Sequence, residues 1–292
     1  MKVITFYKYI SIEDPESFAK EHLSFCKNFG LKGKILVSKE GINGGITGSD
    51  SIIDSYKKRL TSYINFKDIQ FKETFVEDEA YRKMFVRVRK EIVTFDVDVD
   101  YNKAAKKIEP EQLKKILDKK EEVILLDVRN NYETKIGRFK GAVDLDIKKF
   151  TEFKNKIDSL KSLKNKTIVT YCTGGVRCEK ASALLVESGF NDVFQLDGGI
   201  LNYADKCSDA HWEGKCFVFD TRGAIDIDPN SQSEPITQCV LCHLPNSDIH
   251  NCALTTCDRF FTACRDCFNV LEGCCSKRCR GELLKKPVEV LN

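Results

Sequence analysis

Long apolar runs are missing from this chain. No segment approaches the roughly 20 residues that span a bilayer, and Met1 to Ile10 has no apolar core of signal-peptide length. Both absences predict a cytoplasmic protein with no membrane partner. An excess of one charge is missing too. The 47 Lys and Arg residues against 44 Asp and Glu leave a net +3, too little for a global field that draws in a polyanion. Residues 101–206 hold 21 basic and 16 acidic side chains, which lysines on helix surfaces explain as simply as an anion partner. The phosphate-loop pattern Gly-x4-Gly-Lys-Ser/Thr is absent. So is a dinucleotide fingerprint, for which Asp197-Gly198-Gly199 and Gly41–Gly45 are too little. With four histidines, no His/carboxylate triad for non-haem iron stands out. The electron donor of any redox chemistry is therefore unknown from the sequence.

Cysteine is plentiful, with 14 residues. In reducing cytoplasm these are expected to be metal ligands or reactive thiols rather than disulfides. Nine crowd between Cys239 and Cys279. Cys239-x2-Cys242 and Cys264-x2-Cys267 are knuckle-like pairs. Cys252-x4-Cys257 lies between them, and Cys274, Cys275 and Cys279 follow. Two such pairs complete one tetrahedral zinc site. Nine thiols suffice for two structural four-thiolate sites, with His243 or His250 as substitutes and the pairing open. An iron–sulfur cluster is the less favoured occupant. A module this short needs such staples.

The most informative cysteine lies elsewhere, in Thr167–Ser182 (TIVTYCTGGVRCEKAS). Thr167 to Tyr171 reads as a strand, and Cys172 stands where it ends. Thr173, Gly174, Gly175, Val176 and Arg177 form a tight loop, and a helical pattern starts near Glu179 with Ala181, Leu184 and Leu185 on one face. The glycines let the backbone curl until N–H groups point at the sulfur. The helix start and Arg177 add positive charge. Together these lower a thiol pKa and make a thiolate nucleophile. A buried structural cysteine is the plainer alternative, and it suits Cys178 better than Cys172.

Residues 1–95 read as an α+β unit. Val3–Tyr9 alternates as a strand. Pro15–Phe29 is an amphipathic helix with Asp14 as cap, and His22 is one of its apolar-face positions. Gly33–Ser38 is a strand, Ser51–Ser62 a helix, and strands near Ile69–Phe75 and Met84–Val93 complete a ferredoxin-like plan. Lys39–Gly45 (KEGINGG) reads as a hairpin turn; its amides and Lys39 are the alternative, a weak phosphate contact. Arg82, Lys83, Arg87 and Arg89 cluster beside Tyr81 and Phe85. Arg87 and Arg89 share a strand face, which suits either a backbone-tracking RNA patch or a solvated edge strand.

DVRNNYE (127–133), GRFKGAVDLDI (137–147), YCTGGVRCEKAS (171–182) and GFNDVFQLDGGILNY (189–203) resemble, in order, the blocks of a rhodanese domain. The resemblance implies an α/β fold over 110–217, with Asp127, Arg129 and Glu133 as a salt-bridged structural corner at a strand's end. It also implies a six-residue loop from Cys172 to Arg177 that fits a sulfur atom. Related phosphatases use seven residues, and the seventh here is Cys178 rather than Arg. Joined to KGKILVSKEGING before it and to DTR and the Cys-rich tail after it, the whole chain resembles the TrhO-type tRNA uridine hydroxylases, the YceA rhodanese family. The expected layout is a ferredoxin-like (acylphosphatase-like) domain over 1–95, a linker over 96–109 and the rhodanese domain over 110–217. A connector over 218–236 and a Cys-rich, zinc-stapled domain over 237–292 follow.

That family resemblance implies oxygen-dependent hydroxylation of the wobble uridine of tRNA to 5-hydroxyuridine. Dioxygen is the co-substrate, the anticodon loop of tRNA the partner, and a sulfur or electron donor protein a further one. The alternative is a sulfurtransferase that forms a Cys172 persulfide and passes the sulfur to an acceptor. A third class, a binding module with a dead rhodanese scaffold, does not explain the intact Cys172 and Arg177.

Overall fold

The computed structural model describes residues 1–285; positions 286–292 of the expected Cys-rich domain lie outside them. The amino-terminal unit contains Lys2–Tyr9 (β1), Pro15–Asn28 (α1), Lys32–Ser38 (β2), Gly41–Gly48 (β3), Asp50–Thr61 (α2), Phe71–Phe75 (β4) and Met84–Val88 (β5). Asp14 caps α1 by accepting from the Ser17 N–H at 3.0 Å, with Pro15 in the first turn. The sheet order is β4-β1-β3-β2-β5. β1 is antiparallel to β3 and β4, β2 is antiparallel to β3, and β5 runs parallel to β2. This is the ferredoxin-like plan with one added edge strand.

Both helices cover one face of that sheet, where Ile4, Phe6, Ile35 and Ile46 pack with Ala19, Cys26, Tyr56 and Leu60. His22 belongs to this face: it is buried, 3.0 Å from the Tyr56 hydroxyl, and burial pulls it down to about 4. Strand alternation sends Thr5, Tyr7, Lys34 and Asn43 to the opposite face, which neither α1 nor α2 covers.

The expected hairpin turn over Lys39–Gly45 needs correction. Only Lys39 and Glu40 turn, and Gly41–Gly48 is the central strand. Its glycines serve close packing. A Cβ on Gly44 would come within 2.9 Å of Ile35, and one on Gly45 within 2.3 Å of the Tyr81 hydroxyl. Glu40 is committed to the structure as well. It accepts from the Ile92 N–H and the Tyr101 hydroxyl at 2.7 Å each and pairs with Lys180 at 3.0 Å. The last strand of the unit ends at Val88, short of the expected Val93. The segment after it is pinned down, since Phe95 stacks on Phe150 at 4.6 Å inside the next core.

The second unit runs Lys106–Ile108 (β6), Pro110–Asp118 (α3), Ile124–Asp127 (β7), Asn131–Thr134 (α4), Gly137–Phe139 (β8) and Val143–Asp144 (β9). It continues through a long 3-10 stretch over Phe150–Leu163, then Thr167–Tyr171 (β10), Val176–Glu187 (α5), Asp192–Leu196 (β11) and Gly199–Cys207 (α6). The parallel sheet has the order β6-β11-β10-β7-β9. β10 is central and buried from Ile168 to Tyr171, as a continuous apolar run in a parallel sheet demands. Ligands of such sheets gather beyond the carboxyl ends of the strands, where Cys172 lies.

Trp212–Gly214 (β12) pairs back onto β8, and Cys216–Phe217 (β13) pairs with Ala224–Ile225 (β14). The Cys-rich module adds Ile249–Asn251 (β15), Phe260–Thr262 (β16), Arg265–Val270 (α7) and Lys277–Leu284 (α8). Its core is small: Cys239, Cys252, Leu254, Phe261, Ala263 and Cys274 are its buried members. No helix among the described residues is long and apolar enough to cross a membrane.

Candidate active site

Gly175 takes φ +98°, a left-handed value that suits glycine, and α5 begins directly after it. The helix therefore starts three residues before the expected Glu179. This turn brings the Gly175 N–H to 3.1 Å from the Cys172 Sγ. The Asp197-Gly198-Gly199 turn closes against the loop from behind. Ile200 N–H donates to the Cys172 carbonyl at 3.0 Å and Leu201 N–H to the Thr173 carbonyl at 3.1 Å. A Cβ on Gly199 would come within 2.4 Å of that Cys172 carbonyl, so glycine is required there.

The electrostatics of the loop oppose one another. Burial pushes the Cys172 thiol up. The Cys178 side chain, the Arg177 charge and the N–H groups of Arg177 and Gly175 outweigh it and bring the thiol from 9.0 to about 6. Cys178 moves the other way, well above its ordinary range, through burial and its neighbour Cys172. The loop thus favours the ionised form at Cys172 and the neutral form at Cys178.

Arg177 is fixed by a fork-to-fork pair with Glu133, Nη1–Oε2 at 2.6 Å and Nη2–Oε1 at 2.7 Å, with both side chains buried. The expected corner of Asp127, Arg129 and Glu133 is therefore divided. Arg129 binds Asp127 at 2.6 Å and the Gly137 carbonyl at 2.7 Å, fully buried, whereas Glu133 serves the loop. Asp220 and Arg222 repeat the Asp127–Arg129 fork at 2.6 and 2.8 Å. The repeated Asp-x-Arg spacing is visible in the sequence, although nothing there marks the second copy as part of the site.

A cavity of about 590 Å³ lies over the loop. Cys172, buried, is on its floor with Thr173, Gly174, Val176 and Arg177. The face of the amino-terminal sheet away from α1 and α2 forms another wall through Thr5, Lys34, Asn43, Gly45 and Lys72. Phe219, Asp220 and Arg222 close a third side. The amino-terminal unit also grips the loop directly. Tyr7 donates to Glu179 at 3.1 Å, Tyr9 to the Val176 carbonyl at 3.1 Å, and Lys72 to the Gly174 carbonyl at 2.9 Å. Burial pulls Lys72 down to about 8, against the opposing influence of Cys172 and Asp197. Buried Lys180 joins Glu40 to Glu91, at 3.0 and 2.5 Å. No motif in the sequence marks Tyr7, Tyr9 or Lys72 as part of the site. The one available signal was the alternation in β1, which turns both tyrosines away from Ile4 and Phe6.

Arg87 and Arg89 are exposed. The register sets Lys34 beside Phe85 and Leu36 beside Arg87, so this basic edge shares the cavity-side face of the sheet. Arg87 lies over the Phe85 ring at 4.7 Å. Lys39 is exposed at the hairpin tip, outside the cavity lining.

In the Cys-rich module, Cys239, Cys242, Cys264 and Cys267 bring their sulfurs within 4.8 Å of one another, and Cys252, Cys257, Cys275 and Cys279 do the same. The pairs alternate along the chain, first with third and second with fourth. Sulfur separations are 3.9 Å for Cys242–Cys264, 3.7 Å for Cys257–Cys275 and 3.6 Å for Cys275–Cys279. A disulfide needs about 2.0 Å. A zinc tetrahedron with bonds of about 2.3 Å has sulfur–sulfur edges of about 3.8 Å, so the donor sets fit that ion. Cys274 is in neither group and is buried in the module's core. His243 and His250 are in neither group as well, and His250 instead donates to the Ala263 carbonyl at 3.0 Å.

A thiolate cradled by amides on a strand-to-helix loop, at the carboxyl rim of a five-stranded parallel sheet, defines a rhodanese-type protein. The family descriptions "UPF0176 acylphosphatase like domain", "Rhodanese-like domain" and "Rhodanase C-terminal" match residues 1–92, 109–206 and 213–280. The chain is 38% identical to a tRNA uridine(34) hydroxylase of Cytophaga hutchinsonii over 99% of this chain and 92% of that one. It is 40% identical to the protein of that name from Enterococcus faecalis, over 95% and 89% of the two chains. The chain belongs to the tRNA uridine(34) hydroxylase family.

Proposed function

We propose that this protein hydroxylates C5 of the wobble uridine of tRNA to 5-hydroxyuridine, with Cys172 as the reactive group and Arg177 as its fixed counter-charge. The observation that carries this reading beyond family membership is the composite cavity. Its volume falls in the ~300–1,000 Å³ range of small-ligand sites, and Cys172 lines its floor beside the Arg177 charge. A base in an anticodon loop is already splayed and costs little to extract into such a site. The Cys172 thiolate adds to C6 of the uracil, which makes C5 enolate-like. C5 then attacks oxygen that two electrons from a reductant have brought to the level of peroxide. One oxygen atom stays on C5, the other leaves as water, and loss of the C5 proton expels the thiolate. Thr173, Gly174, Gly175 and Val176 supply the backbone that shapes the cradle. Asp127 and Arg129 brace the strand end, Glu133 orients Arg177, and each four-cysteine group holds a structural zinc ion. The curated relatives carry the hydroxylase name, and transfer of a persulfide sulfur to a free acceptor is set aside.

Mass spectrometry of tRNA nucleosides from a strain lacking this chain tests the reading. The expected result is loss of 5-hydroxyuridine and its derivatives, restored by the wild-type chain. Loss of thiolated bases instead would return the sulfur-transfer reading. Arg87 and Arg89, on the cavity-side edge of the sheet, and Lys39 at the hairpin tip track the RNA backbone. Arg87→Glu is expected to weaken tRNA binding several-fold and to lower the slope of log K against log salt by about one. An unchanged slope would remove this edge from the interface.

A further inference from the structure

Phe219 is out of place as a packing residue. It is 57% exposed, yet its ring is firmly braced. Phe217 meets it edge-on, with centroids 4.9 Å apart and planes at 90°. Phe217 is buried and is itself held by Tyr132 at 5.3 Å and Phe260 at 5.4 Å. Tyr132 and Phe260 stack on each other at 4.5 Å. The brace therefore draws on two other parts of the chain. Tyr132 precedes Glu133, the partner of Arg177, and Phe260 opens β16 between the second and third cysteine pairs. On its other side Phe219 lines the cavity that holds Cys172, and the Arg177 guanidinium lies 5.8 Å from its ring. An exposed aromatic ring, set at right angles to buried Phe217 and with Arg177 over it, is thus presented on the wall of the site that Cys172 lines. Aromatic faces held in this way are what single-stranded bases stack on, because every base has a π-face.

We infer that Phe219 is the stacking platform for the pyrimidine base that enters the cavity, and that it sets the plane of the ring beside the Cys172 sulfur. The inference rests on the reading of this cavity as the uridine site and deepens it. It also gives the Cys-rich module a share in the site, since Phe260 helps to hold the platform in place.

The test uses the full chain and a synthetic anticodon stem-loop RNA, once with uridine at the wobble position and once abasic there. Phe219→Ala and Phe219→Leu are each expected to raise KM for the uridine RNA about tenfold, within the range that alanine substitution gives for one stacked base. Leucine is the decisive variant, because it keeps apolar bulk and loses the aromatic face. Phe219→Tyr is expected to keep KM within about twofold. On the abasic RNA the wild type and Phe219→Ala should bind alike. Phe219→Trp reads the contact without turnover: its emission is expected to fall on adding the uridine RNA and not the abasic one, against the single native tryptophan, buried Trp212. Wild-type behaviour of Phe219→Leu, an alanine penalty that persists on abasic RNA, or an unquenched Phe219→Trp at saturating RNA would each overturn the inference while leaving the hydroxylase reading intact. A wild-type chain that neither binds nor modifies the stem-loop would overturn both.

Discussion

Replacing Cys172 by serine is expected to abolish uridine hydroxylation while leaving the fold unchanged. The substitution exchanges one atom, and the new hydroxyl can still accept from the Gly175 N–H that now reaches the sulfur at 3.1 Å. What is lost is the charge. A thiol brought to about 6 is an anion at neutral pH, whereas a serine hydroxyl in the same cradle stays protonated. Loss of a nucleophile in a preorganised site typically costs at least about 10³-fold, so the variant should fall to background in a stem-loop hydroxylation assay while its thermal melt overlays the wild type. The pH profile follows the same logic. The Cys172 pKa is depressed on folding, so the reactive anion is present above about 6 and is lost as pH falls through it. The rate should therefore rise to a plateau above that pH, provided chemistry limits it. A stem-loop with 5-fluorouridine at the wobble position should be captured as a covalent adduct, since the thiolate adds to C6 and fluorine at C5 blocks the loss that would release it. Normal activity in Cys172→Ser would move the reactive centre elsewhere. Normal activity on uridine with no fluorouridine adduct would favour a route through a persulfide on Cys172.

What was legible in the sequence was local. The strand, the cysteine, the double glycine and the arginine lie within Thr167–Arg177, so spacing alone suggested the cradle. The cysteine pairs were legible for the same reason. The features that escaped join residues far apart in the chain. Tyr7, Tyr9 and Lys72 reach the loop from the amino-terminal sheet, and Phe219 reaches it from the segment read as a connector. No periodicity within one element reports contacts of that kind. The expected turn over Lys39–Gly45 fails for a different reason, since Gly41 already opens a strand. Glycine marks both a turn and a close approach of neighbours, and only the partners, Ile35 and Tyr81, show which one applies here. Nearness in sequence places Glu133 in the Asp127–Arg129 corner, whereas its partner Arg177 is 44 residues away and only the fold brings the two together. Spacing groups Cys274 with its neighbours, but its side chain is buried in the core while that of Cys275 joins a cluster.

Removal of metal is expected to undo the carboxy-terminal module as a unit and to take hydroxylation with it. Among the described residues the module's core cluster has six buried members, too little to hold a fold of that length without cross-links. Structural zinc in small domains contributes on the order of 10–16 kcal/mol of folding free energy per site, far more than such a core supplies. The alternation of the pairs matters here. Cys252 and Cys257 lie between the two halves of the first group, and Cys264 and Cys267 between the two halves of the second. Opening either site therefore frees chain that the other needs to close. A zinc assay on unfolded protein should return about two ions per chain. Cys264→Ser should lower that number and expose the module to protease, whereas Cys274→Ser, outside both groups, should keep both ions. Since Phe260 of this module braces Phe217 and through it Phe219, chelation should impair stem-loop binding before it affects Cys172. The thiolate should stay reactive toward alkylation at neutral pH, because its loop belongs to a separate core. Less than about one metal per chain would overturn the zinc assignment. Full RNA binding by the chelated, protease-sensitive protein would break the link between the module and the aromatic brace.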